Sequence, residues 1–182
     1  MLQLSAREVL GMKKGLLAIF ACLLLAACSD NETQSAENLQ QTIEKGTVGY
    51  EIVDGQVEPA TNVPEDEQQQ ILQALDEYIS SFNDKDLARF KQTVSQQDAT
   101  YYAETMKEAE AVFSQYSTIE RDTEDVTISK YSEGRAEVFL NVTGRVIEAA
   151  TETELAASAR QIIVLVKEDD AWKVSSVHSI NI

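Results

Sequence analysis

Apolar residues change their spacing halfway along this chain. Between residues 64 and 116 they recur every three or four positions, and beyond 126 they alternate every second position, so helices are expected first and strands afterwards. Ile71, Leu72, Leu75, Tyr78, Ile79 and Phe82 form one helical stripe. Pro64 suits its first turn, and Glu65, Asp66 and Glu67 complement its positive end. Asn83-Asp84 is expected to end this helix and cap a shorter one carrying Leu87, Phe90 and Val94. A third helix is expected after Asp98, with Tyr102, Met106, Ala109, Phe113 and Tyr116 on one face. In the second half, Val126 to Ile128 alternates and residues 132–134 turn the chain. Ala136, Val138, Leu140 and Val142 then face one side, and Glu137, Phe139, Asn141 and Thr143 the other. Gly144 is expected to mark a bulge or bend, and residues 148–158, with Leu155 as their one large apolar side chain, a loop or hairpin end. Residues 161–166 are apolar on both faces and read as a central strand; 167–170 form a charged turn. Trp172, Val174, Ser176, His178, Ile180 and Ile182 are expected to share one face of the last strand. The expected fold class is α+β over residues 62–182: three N-terminal helices packed on one face of a curved, mainly antiparallel sheet of about four strands.

The N-terminus follows a different rule. Lys13 and Lys14 precede 13 apolar or small residues, Gly15 to Ala27, which end at Cys28. A basic start, a short apolar run and small residues at the end have the layout of a secretory signal, and the run is shorter than the roughly 20 residues that span a bilayer. Leu25-Ala26-Ala27-Cys28 resembles the lipobox of bacterial lipoproteins. That resemblance implies a diacylglycerol thioether on Cys28, cleavage before it, and a domain held by acyl chains on the extracytoplasmic side of the cell envelope. Residues 1–27 are then the signal peptide. Residues 28–61 form an acidic tether too poor in apolar groups to order itself, with a short hairpin where Val48, Tyr50 and Ile52 alternate before Asp54-Gly55. Cys22 leaves with the signal, so no disulfide, cysteine-ligated zinc or thiol nucleophile is expected in the mature domain.

The charge narrows the partners. The chain carries −16 at neutral pH, and removal of Arg7, Lys13, Lys14 and Glu8 with the signal takes away +2, leaving −18. Such a surface repels phosphate backbones and anionic head groups, so nucleic acid is excluded as a partner and membrane contact falls to the acyl chains.

Asp170-Ala171-Trp172-Lys173-Val174 after a charged turn is similar to the last strand of NTF2-like domains. The opening helix with Tyr78 and Phe82, followed by Asn83-Asp84-Lys85-Asp86, resembles the same family over residues 64–182. The resemblance implies a cone-shaped α+β domain, a habit of dimerising through the sheet, and in some members an acid or histidine inside the cone. His178, the one histidine, reads as either a general base in a pocket or a partly buried histidine satisfied by a neighbour. Tyr78, Phe82, Tyr102 and Trp172, with His178, are the pocket candidates; aromatics at this spacing equally serve as core. The acidic runs lack the alternation and central glycine of a calcium loop, and no metal, cofactor or catalytic residue is assigned. The expectation is a lipid-anchored, non-catalytic domain that binds a small apolar ligand or an envelope protein. The alternatives are a cyclase- or isomerase-like enzyme using His178, or a homodimerising scaffold.

Overall fold

Helix α1 (Glu65–Asn83) begins after Pro64 with three acidic residues in its first turn, and its stripe is buried: Ile71, Leu75, Tyr78, Ile79 and Phe82 are each at most 9 % exposed. Burying side chains of this size stabilises the fold by roughly 1.5–3 kcal/mol each. The computed structural model describes residues 52–53 and 56–181. The expected signal segment, Cys28, most of the tether and Ile182 lie outside the described residues.

The turn after α1 departs from expectation. Asp86, not Asn83-Asp84, caps helix α2 (Leu87–Thr93), its carboxylate accepting from the Ala88 and Arg89 amides at 3.0 Å each. Lys85 reverses the chain in the left-handed region at φ 57°. Arg89 then ties the two helices through Glu77 (2.8 and 2.9 Å) and Asp84 (2.6 Å). Helix α3 (Ala99–Gln115) starts as expected at Asp98, whose side chain accepts from Thr100 and Tyr101.

Tyr116, expected on the third helix, is instead the first residue of strand β3 (Tyr116–Ser132). β3 is followed by β4 (Arg135–Glu148), β5 (Glu154–Glu168) and β6 (Ala171–Asn181) in an antiparallel sheet of order β3-β4-β5-β6. The region expected as loop, 148–158, is a turn only over 149–153. Glu154 to Ser158 pair with Ile147 to Thr143 of β4, so backbone ladder bonds order a stretch whose side chains carry little apolar area. Gly144 is no bulge: the β4–β5 register runs unbroken through Gly144 opposite Ala157. The irregularities lie on β3, near residues 116–118, 124–127 and 128–130, and on β6 at Ser175. Asp169 and Asp170, both at positive φ (47° and 65°), make the tight β5–β6 turn.

The three helices cover one face of the sheet. Ala136, Val138, Leu140 and Val142 of β4 and Ile163 and Leu165 of β5 meet them there, all nearly without solvent contact. The other face is partly covered by a hairpin of β1 (Ile52–Val53) and β2 (Gln56–Val57), with Val57 packed on Phe139 and Ile162. Edge strand β3 would template aggregation if bare. Its outer backbone groups are taken instead by Lys85 (to the Tyr116 carbonyl, 2.6 Å), Asn83 (to Arg121), the Ala60 amide (to Ile128) and Asn62 (to Tyr131).

One ion pair closes the far end of the sheet against α1. Glu67 accepts from Lys167 Nζ and Trp172 Nε1, both at 2.7 Å. Lys167 and then Trp172 hold the Glu67 carboxyl below its ordinary value, against the opposing effect of burial. A carboxyl depressed on folding stabilises the native state above its unfolded value and loses that contribution as pH falls through the folded value. Glu67→Gln should therefore lower the denaturation midpoint at pH 7. The gap between variant and wild type should close in urea titrations below the ordinary carboxylate value of 4.5.

Candidate functional site

The alternation of β6 decides where its polar residues go. Val174 lies opposite Leu165, but the extra residue Ser175 shifts the register so that Ser176 lies opposite Val164. One added residue exchanges the two faces of everything after it. Val177 and Ser179 consequently turn towards the helices, and His178 turns outward, exposed, with its Nε2 3.2 Å from Ser176 Oγ. Partial desolvation by its outer-face neighbours and then the Arg135 charge hold its ring below the usual histidine value. His178 is thus no base inside the cone. Trp172 faces inward but spends its indole N–H on Glu67 and packs on Tyr131 at 6.3 Å, and Tyr102 is half-buried at the rim of the core. Neither Trp172 nor Tyr102 lines the cavity between the helices and the sheet. Tyr78 and Phe82 do.

That cavity, about 60 Å³, lies between α1, α3 and the sheet. Helix α1 contributes Tyr78 and Phe82, four residues apart on one face, and α2 contributes Phe90. Helix α3 contributes Tyr101, Thr105 and Glu108, a single face at steps of four and three. The sheet contributes Arg121, Gln161, Val177 and Ser179. Space of this size holds about four to six water-sized atoms at roughly 10–15 Å³ each.

Arg121 is the chemical centre of the cavity. The alternation Ile119, Arg121, Thr123 sends it inward, while Glu120, Asp122 and Glu124 face solvent. Its guanidinium carbon lies 3.8 Å from the Phe82 ring centroid, within cation–π range. The Tyr78 hydroxyl sits beside it as hydrogen-bond partner, and burial works to lower its protonation against that partner's support. Among the described residues no carboxylate pairs with Arg121, whereas Arg89, Arg135 and Arg145 each have one. Burial pushes the phenols of Tyr78 and Tyr101 up, so both stay protonated donors at neutral pH. Glu108, solvent-exposed at the mouth, is raised above the ordinary carboxylate value by partial burial and then by Glu104, and its charge is felt at both phenols. On the far wall Gln161 Nε2 donates to Ser179 Oγ at 3.0 Å. A guanidinium, two phenols and a lifted carboxyl around an aromatic hollow can hold a polar small molecule, stabilise negative charge on it and move a proton.

Sequence reasoning missed Arg121 and Glu108. Glu120, Asp122, Glu124 and Asp125 read together as a solvated acidic run, which hid the two-residue alternation placing Arg121 with Ile119. Glu108 had one signal, its spacing of seven from Tyr101 on the same helix. A second hollow, about 270 Å³, lies between the hairpin and β3, but Asp125 is its one charged lining group, so it assembles no comparable chemistry. Among the described residues no group of histidine, cysteine or carboxylates could hold a metal ion, and no described helix is long and apolar enough to cross a membrane.

Comparison with solved structures places the fold. A protein from Streptomyces avermitilis assigned as a dehydratase of the NTF2-like family superposes with a TM-score of 0.58 at 13% identity, covering 65% of this chain and 99% of its own. An NTF2-like superfamily protein from Salmonella enterica gives 0.54 at 15%, covering 63% and 89%. A hexachlorocyclohexane dehydrochlorinase from Novosphingobium barchaimii gives 0.52 at 8%, covering 63% and 86%. At these identities the likeness establishes the NTF2-like fold. It also overturns the expectation of a non-catalytic domain, which rested on finding no catalytic constellation in a fold that dehydratases and dehydrochlorinases share. No curated protein matches the sequence. A family model does, the one described as anti-sigma-I factor RsgI9, C-terminal domain, over residues 73–182, which is more than half of the chain and includes both Arg121 and Glu108. The chain belongs to the family of the anti-sigma-I factor RsgI9 C-terminal domain.

Proposed function

We propose that the cone is the active site of a proton-transfer enzyme of the lyase or isomerase sort, acting on a small oxygen-bearing substrate. Arg121 carries the proposal: a cation inside an aromatic pocket, unpaired with any described carboxylate, with a lifted carboxyl at the mouth of the same pocket. In this reading Glu108, as its carboxylate, removes a proton from the carbon next to a carbonyl. The electron pair moves onto the carbonyl oxygen, and Arg121 with the Tyr78 hydroxyl stabilises the charge that develops there. Return of the proton to a different carbon gives isomerisation, and departure of a β-substituent gives elimination. A carboxyl raised above its ordinary value is better matched to this task than an ordinary one.

Glu108→Gln tests the role of the carboxyl. Incorporation of solvent deuterium into a panel of two- to four-carbon carbonyl compounds, followed by proton NMR, should occur with the wild type and fall by about 10²–10⁴-fold in the variant. Equal exchange by both would remove Glu108 from the chemistry.

We also propose that Cys28 is lipidated and holds the domain at the extracytoplasmic face of a membrane, on the strength of Leu25-Ala26-Ala27-Cys28 after a basic, apolar segment. Cys28→Ser should accumulate unprocessed or be released on fractionation, and mature protein retained in membranes would contradict it. A second reading draws on the family, whose name describes an anti-sigma-I factor. Occupancy of the cone would then be the signal passed to a partner, with Arg121 as the group that senses the ligand.

A further inference from the structure

The geometry points to a substrate class for the cone: a small monocarboxylate of two or three carbons, its carboxylate held by the Arg121 guanidinium. This rests on the reading of the pocket as a substrate site and adds the charge and size of what enters it. Charge comes first. In a chain with 31 acidic residues, two described arginines, Arg121 and Arg160, have no carboxylate ion-pair partner, and Arg121 is the one that lines the pocket. Phe82 and Tyr78 support the cation without neutralising it, and among the described residues Glu108, the carboxyl that lines the same pocket, makes no ion pair with it.

Preorganisation comes second. The Asn83 side-chain amide grips the backbone of Arg121 on both sides, Nδ2 donating to its carbonyl at 3.1 Å and Oδ1 accepting from its amide at 3.0 Å. That clamp fixes the strand position from which the guanidinium projects, and the Phe82 ring lies against the guanidinium. A planar fork held in this way matches the two oxygens of a carboxylate. Directly across the sheet from Arg121 stands Gly144, and beyond it Ala157, so no large side chain occupies the floor beside the cation.

Size and polarity complete the argument. About 60 Å³ fits acetate or a similarly small acid. Ser179 accepts from Gln161, which leaves the Ser179 hydroxyl hydrogen to donate into the pocket as a further partner for a carboxylate or carbonyl oxygen. Tyr78, Phe82 and Val177 leave an apolar side for the short carbon chain.

The test follows the Arg121 Nε–H signal by ¹⁵N–¹H NMR in the full chain in detergent micelles, during separate additions of formate, acetate, sodium chloride and acetamide. The Phe82 ring current should displace this signal upfield in the free protein. Acetate and formate should shift it saturably, while chloride and neutral acetamide leave it in place. Arg121→Lys should keep the charge but weaken acetate binding at least tenfold, by loss of the fork, with binding read on the Gln161 side-chain amide. Asn83→Ala should weaken it and also erase the ring-current displacement. Asn62→Ala, which removes a different contact to β3, should do neither. No saturable shift with either carboxylate, an equal response to acetamide, or Arg121→Lys binding acetate as tightly as wild type would overturn the assignment. Carboxylate binding without deuterium exchange would keep the assignment and remove the proton-transfer reading. Exchange of neutral carbonyl compounds without carboxylate binding would do the reverse.

Discussion

Phe90→Ala is expected to cost about 3–5 kcal/mol of folding stability, the range for deleting a large aromatic side chain from a packed core. Phe90 is 1 % exposed and stands where three aromatic rings converge: Tyr78 at 5.3 Å, Phe82 at 5.2 Å and Phe113 at 6.3 Å between centroids. The Phe82–Phe113 pair, edge to face at 4.9 Å, completes the group and joins α1 to α3 across α2. No neighbour can collapse into the space without breaking one of these contacts, so the cavity stays and the cost sits high in the range. For a domain of this size the melting midpoint should drop by about 10 °C or more. Because Phe90 also lines the pocket, the variant should bind ligands larger than the wild type accepts. Scanning calorimetry of the two proteins checks the stability; a drop of only a degree or two would mean that the aromatic group is loosely packed.

Arg121→Met is expected to remove about 10²–10³-fold of turnover, the usual loss when one group stabilising a developing negative charge is deleted. Methionine keeps much of the length and can stay against Phe82, so the fold should survive with little change in melting midpoint. Burying an unpaired guanidinium is costly, and replacing it by an apolar side chain relieves that cost even as the function goes. Loss of activity with retained or improved stability is the signature of a residue kept for chemistry. His178→Ala serves as the control: a residue on the outer face of β6 should leave turnover unchanged. Parallel loss of activity and stability in Arg121→Met would instead make Arg121 a structural residue.

How far the sequence could be read depended on the range of the interactions involved. The α1 stripe and the Asp98 cap are local, and both are where periodicity and capping rules put them. The three helices and the four-stranded antiparallel sheet follow from the change of period. The starts of β3 and β5 were hidden because Ser117 to Asp125 and Glu154 to Ser158 each carry one large apolar residue, Ile119 and Leu155, among polar or small ones, and become strand through pairing with β4 across the sheet. The site was less legible for the same reason. A single inserted residue, Ser175, has no sequence signature, yet it decides that Ser179 and not His178 faces the cone. Of the five pocket candidates Tyr78 and Phe82 line the cavity, because they follow α1, the element whose phase was readable. Arg121 required knowing that an acidic run is an edge strand.

All of this chemistry depends on a cone mouth dry enough to lift the Glu108 carboxyl while leaving it open to a substrate. The direct measurement is a ¹³C NMR titration of the Glu108 side-chain carboxyl in the folded protein. A midpoint above the ordinary value of 4.5 is the predicted result, with burial as its principal cause and Glu104 adding to it. A midpoint at or below that value would put Glu108 in open water and contradict its place in the site.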